Sequence, residues 1–170
     1  MNLRRRFVLL IAALSLVAAC GTSEPLADDL SVRTNEQNIA QARHTFDLAV
    51  EQWEGQQPMA HTLTTYFGTF AELEISYDAD GNVLSENVSH DESGAGQVEF
   101  LPRSVDAAFA EIDALISLFE TGEREVPEDG ECGHHFNVRY DATLGNPTSY
   151  DTLGPCDDGV GLELSVRVDE

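Results

Sequence analysis

Three groups of residues in this chain have the side chains and spacing that could do chemistry. Cys132-Gly133-His134-His135, with Cys156 farther on, gathers the sulfur and nitrogen ligands that zinc and copper prefer. The spacing fits no closed zinc pattern, and neighbouring His134 and His135 would point to opposite faces of a strand. The preferred expectation is that Cys132 and Cys156 form a disulfide in an oxidising compartment, a link worth roughly 3 kcal/mol in the chain-entropy view. Metal binding is the competing reading. Asp78-Ala79-Asp80-Gly81-Asn82 begins like a calcium loop, with Asp78, Asp80 and Asn82 as candidate oxygen ligands. A complete loop needs a bidentate Glu at its twelfth position, where this chain has Ser89, so a plain hairpin turn is the better expectation. The third group is Cys20, which follows Val17-Ala18-Ala19.

Cys20 takes its meaning from what precedes it. Arg4, Arg5 and Arg6 lead into an apolar run from Phe7 to Val17, too short to cross a bilayer, and small residues stand before the Cys. This is the plan of a bacterial lipoprotein signal, so residues 1–19 are expected to be cleaved and Cys20 to carry the lipid. Gly21 rather than Asp follows, which points to the outer membrane in a cell with two membranes. Residues 20–33 are polar, acidic and broken by Pro25, as suits a short tether.

Familiar catalytic arrangements are absent: the chain has no Gly-x-Ser-x-Gly elbow, no His-Glu-x-x-His helix and no Gly-rich phosphate loop. Pairs such as Glu72 and Glu74 are what a solvated face looks like in a chain with 31 acidic and 9 basic residues. All the basic residues are Arg, and losing the three in the leader takes the formal charge from −22 to −25. Such a surface repels phosphate backbones and anionic lipid heads. Nucleic acid is excluded as a partner, and membrane contact is expected through the lipid. The acidity is read first as a solubility or salt adaptation, and second as an attraction for cations or a basic partner.

The elements that would position these residues follow from periodicity. Thr34 with Gln37 is a capping box, and Ile39, Ala42, Phe46, Ala49 or Val50, and Trp53 recur on one helical face up to Gly55, with Trp53 as a core anchor. Ser104 caps a second helix with Val105, Ala108 or Phe109, Ile112, Leu115 or Ile116, and Phe119 at steps of three and four, ended by Gly122. His61–Phe67, Phe70–Tyr77 and Val83–His90 read as strands, with a turn at Gly81, and Val98–Leu101 as a short extra one. Phe136 to Asp151 reads as a hairpin turning at Gly145-Asn146-Pro147, with Tyr140 facing the core. Alternation from Val160 to Val168 gives a last strand. One domain, 34–170, is expected: an α+β fold with two helices on one face of a largely antiparallel sheet of about six strands.

An offset of 63 residues places Phe46 on Phe109, Leu73 on Phe136 and Tyr77 on Tyr140. Two α-β-β-β repeats, 34–101 and 102–170, would produce this match, and so would the chance alignment of two amphipathic helices. Tyr140-Asp141, Gly145, Pro147 and Asp151, after a helix and a Trp-ended first helix, resemble a family of small secreted bacterial lipoproteins known only as a domain of unknown function. Members often carry paired cysteines after the Trp helix, where this chain reads His61 to Phe70 without any. The resemblance implies a fold and no catalytic residues.

The functional expectation is a lipid-anchored, extracytoplasmic, non-catalytic binding domain of the cell envelope. It would need no cofactor, and its partner would be a protein or another envelope component. A calcium-binding envelope lipoprotein is the alternative, and a hydrolase the least supported reading.

Overall fold

Apolar residues at steps of three and four become helices wherever they can share one buried stripe. In the computed structural model, which describes residues 36–57, 59–92, 94–124, 135–153 and 161–169, two helices do so. Helix α1 (Glu36–Glu54) buries Ile39, Ala42, Phe46, Ala49 and Trp53, and it closes with the Gly55 N–H donating to the Glu51 carbonyl at 3.0 Å. Its expected cap, Thr34, lies outside the described residues. Helix α2 (Val105–Glu120) starts where Ser104 Oγ accepts the Ala107 N–H at 3.0 Å, a cap worth about 1 kcal/mol. It stops at Gly122, whose φ of +73° gives the left-handed exit that glycine allows.

Six strands follow the expected order: β1 (His61–Phe67), β2 (Ala71–Tyr77), β3 (Val83–His90), β4 (His135–Tyr140), β5 (Pro147–Leu153) and β6 (Leu162–Val168). They form one sheet, β3-β2-β1-β6-β5-β4, with every neighbouring pair antiparallel. Each three-strand meander fills one half, and β1 and β6 join the halves at the centre. The α+β expectation holds. Leu63, Leu73, Ile75, Val138, Tyr150 and Leu164 point from one face of the sheet into the core formed with both helices. The helices touch through Phe46 and Phe109, whose rings meet edge to face at 5.8 Å.

The element order is α-β-β-β twice, yet the 63-residue register does not follow it. That offset lays β2 on β4, whereas the order of elements matches β2 with β5. Among the described residues, Tyr77 thus lies on an interior strand and Tyr140 on an edge strand. A second correction concerns Val98–Leu101. Val98–Phe100 is a 3₁₀ turn, with the Phe100 N–H donating to Gln97 and the Leu101 N–H to Val98. Pro102 follows at once, and Leu101, 3% exposed, is the side chain this turn delivers to the core.

The β4–β5 hairpin is present, but its loop is longer than expected. It runs from Asp141 to Asn146, and Pro147 opens β5 instead of closing the turn. Asp141 organises it: Oδ1 accepts the N–H groups of Thr143 and Leu144 at 2.8 and 2.7 Å, and its backbone pairs with Gly145 and Asn146. Tyr140 packs toward the core as expected, stacked on Phe109 with ring centroids 6.4 Å apart. The loop then docks onto the last turns of α1. Gln52 Nε2 donates to the carbonyls of Ala142 and Thr143 at 2.9 and 2.6 Å, and Gln56 Nε2 to Thr143 at 2.6 Å.

Gly145 makes that docking possible. Its φ is +82°, and a Cβ there would lie 2.5 Å from the Ala49 carbonyl oxygen and 3.0 Å from the Trp53 nitrogen. Gly145→Ala combines left-handed strain with a backbone clash, and is expected to cost more than about 2 kcal/mol. Urea unfolding checks this, and a midpoint equal to wild type would show that the loop does not rest on α1.

Candidate functional site

The sequence-based candidates divide by where they fall. Cys20, Cys132 and Cys156 lie outside the described residues, as does His134. Asp78, Asp80 and Asn82 form the β2–β3 turn, as the plain-turn reading expects. Asp78 Oδ1 accepts the N–H groups of Asp80 and Asn82, both at 2.9 Å, and Asn82 Nδ2 donates to Oδ2 at 3.0 Å. Those bonds, led by the Asn82 side chain, hold the Asp78 carboxyl below the usual carboxylate range. Asp78 Oδ1 is thus engaged by the turn, and Asp80 is exposed beside it. Among the described residues, no three His, Cys, Asp or Glu side chains converge to hold a metal ion.

A concave feature of the fold lies elsewhere, between α2 and the sheet. It is an open cleft of about 680 Å³. Ala107, Ala114, Leu115 and Leu118 of α2 form one wall, and Phe67 of β1 and Leu162 of β6 lie opposite. The segment from Glu99 to Arg103 frames its mouth, where Phe100 is 70% exposed. The wall on α2 has a local cause. Positions 107, 111, 114, 115 and 118 step by three and four and make a second stripe beside the core stripe of Ala108, Ile112, Ile116 and Phe119. One helix thus presents more apolar surface than one core needs.

Polar groups enter the cleft at a few points. The Tyr150 hydroxyl donates to Glu111 Oε2 across from α2 to β5. Tyr150 is 4% exposed, and burial, followed by the bond to Glu111, pushes its phenol well above the ordinary tyrosine range. Asp151 is held by Asn137, which donates to its Oδ1 from the backbone at 3.0 Å and from the side chain at 3.1 Å. Arg103, at the rim, is drawn to Glu86 of β3 at 2.8 Å, and its carbonyl accepts the Tyr77 hydroxyl. Among the described residues the lining holds no Ser, Thr, Cys or His, and its chemistry there is that of an apolar slot with acceptor groups.

Helix α2 is held in place from its other side. Arg43 of α1 reaches it with Nε and Nη2 on the two Glu120 oxygens at 3.0 and 2.9 Å, Nη1 on Asp113 and Nη2 on Ser117 Oγ at 3.3 Å. Its guanidinium carbon lies 5.3 Å from the Phe46 ring centre. The bidentate bond to Glu120 raises the Arg43 pKa and lowers that of Glu120. Sequence reasoning passed over Arg43 and the cleft. The available signal was the width of the apolar face on α2; the partners of Arg43, some seventy residues away, left none.

Compared with known proteins, the chain matches no protein-family model, no curated protein and no solved structure.

Tyr140, raised chiefly by burial, joins Tyr150 in remaining protonated to higher pH in the fold than in the unfolded chain. Their contribution to stability is therefore whole below about pH 10 and is lost as pH rises beyond it. Phenolate absorbance against pH should show late titration in which Tyr140 and Tyr150 come last, and Tyr150→Phe should remove one of these two together with about 1 kcal/mol of stability. Titration of all four tyrosines at the ordinary position would contradict the burial described above.

Proposed function

We propose that this chain is a lipid-anchored domain of the bacterial cell envelope that works by binding, without catalysis, and that its α2–sheet cleft receives the ligand. The cleft carries this reading: it is concave and apolar, with a few fixed acceptors, and it is built on regular elements braced by Arg43. The leader and Cys20 support the anchor, which by Gly21 belongs in the outer membrane where there are two, with the domain facing the periplasm or exterior. Residues 20–33 would keep the domain close to the surface. The ligand is a component of the envelope or of another protein, and the charge of the chain excludes nucleic acid. Kinship with the secreted lipoproteins of unknown function agrees with this reading and adds no chemistry to it.

Two measurements test the proposal. Cys20→Ser should move the protein from the membrane fraction to the soluble one, and retention in the membrane would refute the anchor. Nile red, a neutral apolar dye, should brighten on binding the wild-type domain. Ala114 is exposed on α2, so Ala114→Trp should fill the cleft and remove most of the signal without lowering the melting temperature. A folded Ala114→Trp protein with undiminished dye fluorescence would show that the cleft is not the binding site.

A further inference from the structure

The β3 edge is the least protected surface of the fold. All eight of its residues are exposed, and it ends the strand order, so its outward N–H and C=O groups face solvent. Sheets commonly guard such an edge with lysine, proline or an unpaired inward charge. β3 has neither lysine nor proline, and its one carboxylate, Glu86, is paired with Arg103. A register shift beside Tyr77 leaves Leu84 without a partner on β2, but from Ser85 to His90 the ladder is unbroken. Leu84 and Val88 are 67% and 45% exposed, more apolar surface than a solvated edge strand needs.

The two faces of this edge differ. Leu73 and Ile75 are buried, so their partners Val88 and Glu86 lie toward the helices, while Ser85, Asn87 and Ser89 share the helix-free face with Glu72 and Glu74. Asn87 Nδ2 donates to Glu74 Oε1 at 3.4 Å on that face. Between Ala71 and Glu92 every charged side chain is a carboxylate. The local field is felt one strand farther in, where the Tyr66 phenol is pushed up by burial and then by Glu72, Glu74 and Glu163.

We propose that β3 accepts an additional strand from an extended, basic segment of a partner protein. Backbone bonds would hold it along Ser85–His90, with an apolar residue on the helix side against Val88 and Lys or Arg on the helix-free side. Strands lie about 4.8 Å apart, so Glu72 and Glu74 would stand about 10 Å from the new strand, within reach of a long basic side chain. Ser85 and Ser89 are short, and the Asn87 amide, at 3.4 Å from Glu74, would be displaced from that carboxylate by the incoming cation. Charge selects this occupant over a second copy of the chain, because pairing two β3 edges would bring two carboxylate-only hairpins together. This site is separate from the cleft and stands or falls apart from it.

The probe is a blocked ten-residue peptide of alternating Lys and Val, added to the full-length protein in detergent. Hydrogen exchange should slow over residues 83–90, and affinity should fall with added salt. Glu72→Gln with Glu74→Gln, and separately Leu84→Thr with Val88→Thr, should each weaken binding about tenfold, the first also flattening the salt dependence. All four positions are at least partly exposed, so the melting temperature should hold. A peptide alternating Lys and Pro, which lacks every second backbone donor and favours a conformation other than a paired strand, should bind far more weakly. The proposal is overturned if the Lys-Pro peptide binds equally well, if protection appears away from β3, or if Ala114→Trp abolishes binding. It is also overturned if the protein pairs with itself at β3.

Discussion

The approach of Gly145 to the backbone of α1 is the contact on which the rest of the arrangement depends. A hairpin loop has few ways to lie against a helix without stranding polar groups. Here the absent Cβ lets the loop come within reach of Ala49 and Trp53, and Gln52 and Gln56 then supply donors to carbonyls that would otherwise be desolvated. Asn146 is the exception in this joint: it is 1% exposed, its Nδ2 bonds the Pro147 carbonyl at 3.0 Å, and its Oδ1 has no partner. Through this contact a helix from the first half of the chain fixes a hairpin from the second. The two meanders, joined in one sheet by the β1–β6 ladder, are thereby tied together a second time outside the sheet.

Electrostatics adds a second constraint of a different kind. In a chain with so large an acidic excess, each arginine can do something a carboxylate cannot. Arg43 joins α1 to α2, and Arg103 joins the start of α2 to β3. Neither pair lies deep, and exposed pairs are individually worth little. What they provide is position: Arg43 sets how α2 lies over the sheet, and hence the width of the cleft on its far side.

Much of the fold was legible because it rests on local periodicity. The alternation in β2 and β6, the three-four steps of both helices, the Ser104 cap and the glycines at 81 and 122 all report conformations fixed within a few residues. Trp53 reads as a core anchor and is one, set edge to face against His61, which itself stacks on Tyr77. Val98–Phe100 misled because an apolar residue next to a charged one satisfies a strand pattern and a 3₁₀ turn equally. Gln52 and Gln56 gave no sign of their role, since a glutamine on a helix surface looks the same whether or not a loop some ninety residues away lands on it. The cleft was hidden for a related reason: the sequence shows how much apolar surface α2 carries, and only packing shows how much the sheet leaves uncovered.

The pairing of β1 with β6 at the centre of the sheet has a kinetic consequence. His61 lies opposite Val168, whereas β1 with β2, β2 with β3 and β4 with β5 are joined by short loops. Hairpins close in microseconds, but bringing β1 to β6 must first overcome the loop entropy of about a hundred residues. The sheet therefore forms from its rims inward, and its middle is the last seam to close. Until then β1, an uncharged run from His61 to Phe67 rich in β-branched and aromatic residues, is an open edge. On the proposed reading, in which the chain is exported before it folds, that strand is the one an escorting factor would have most reason to cover.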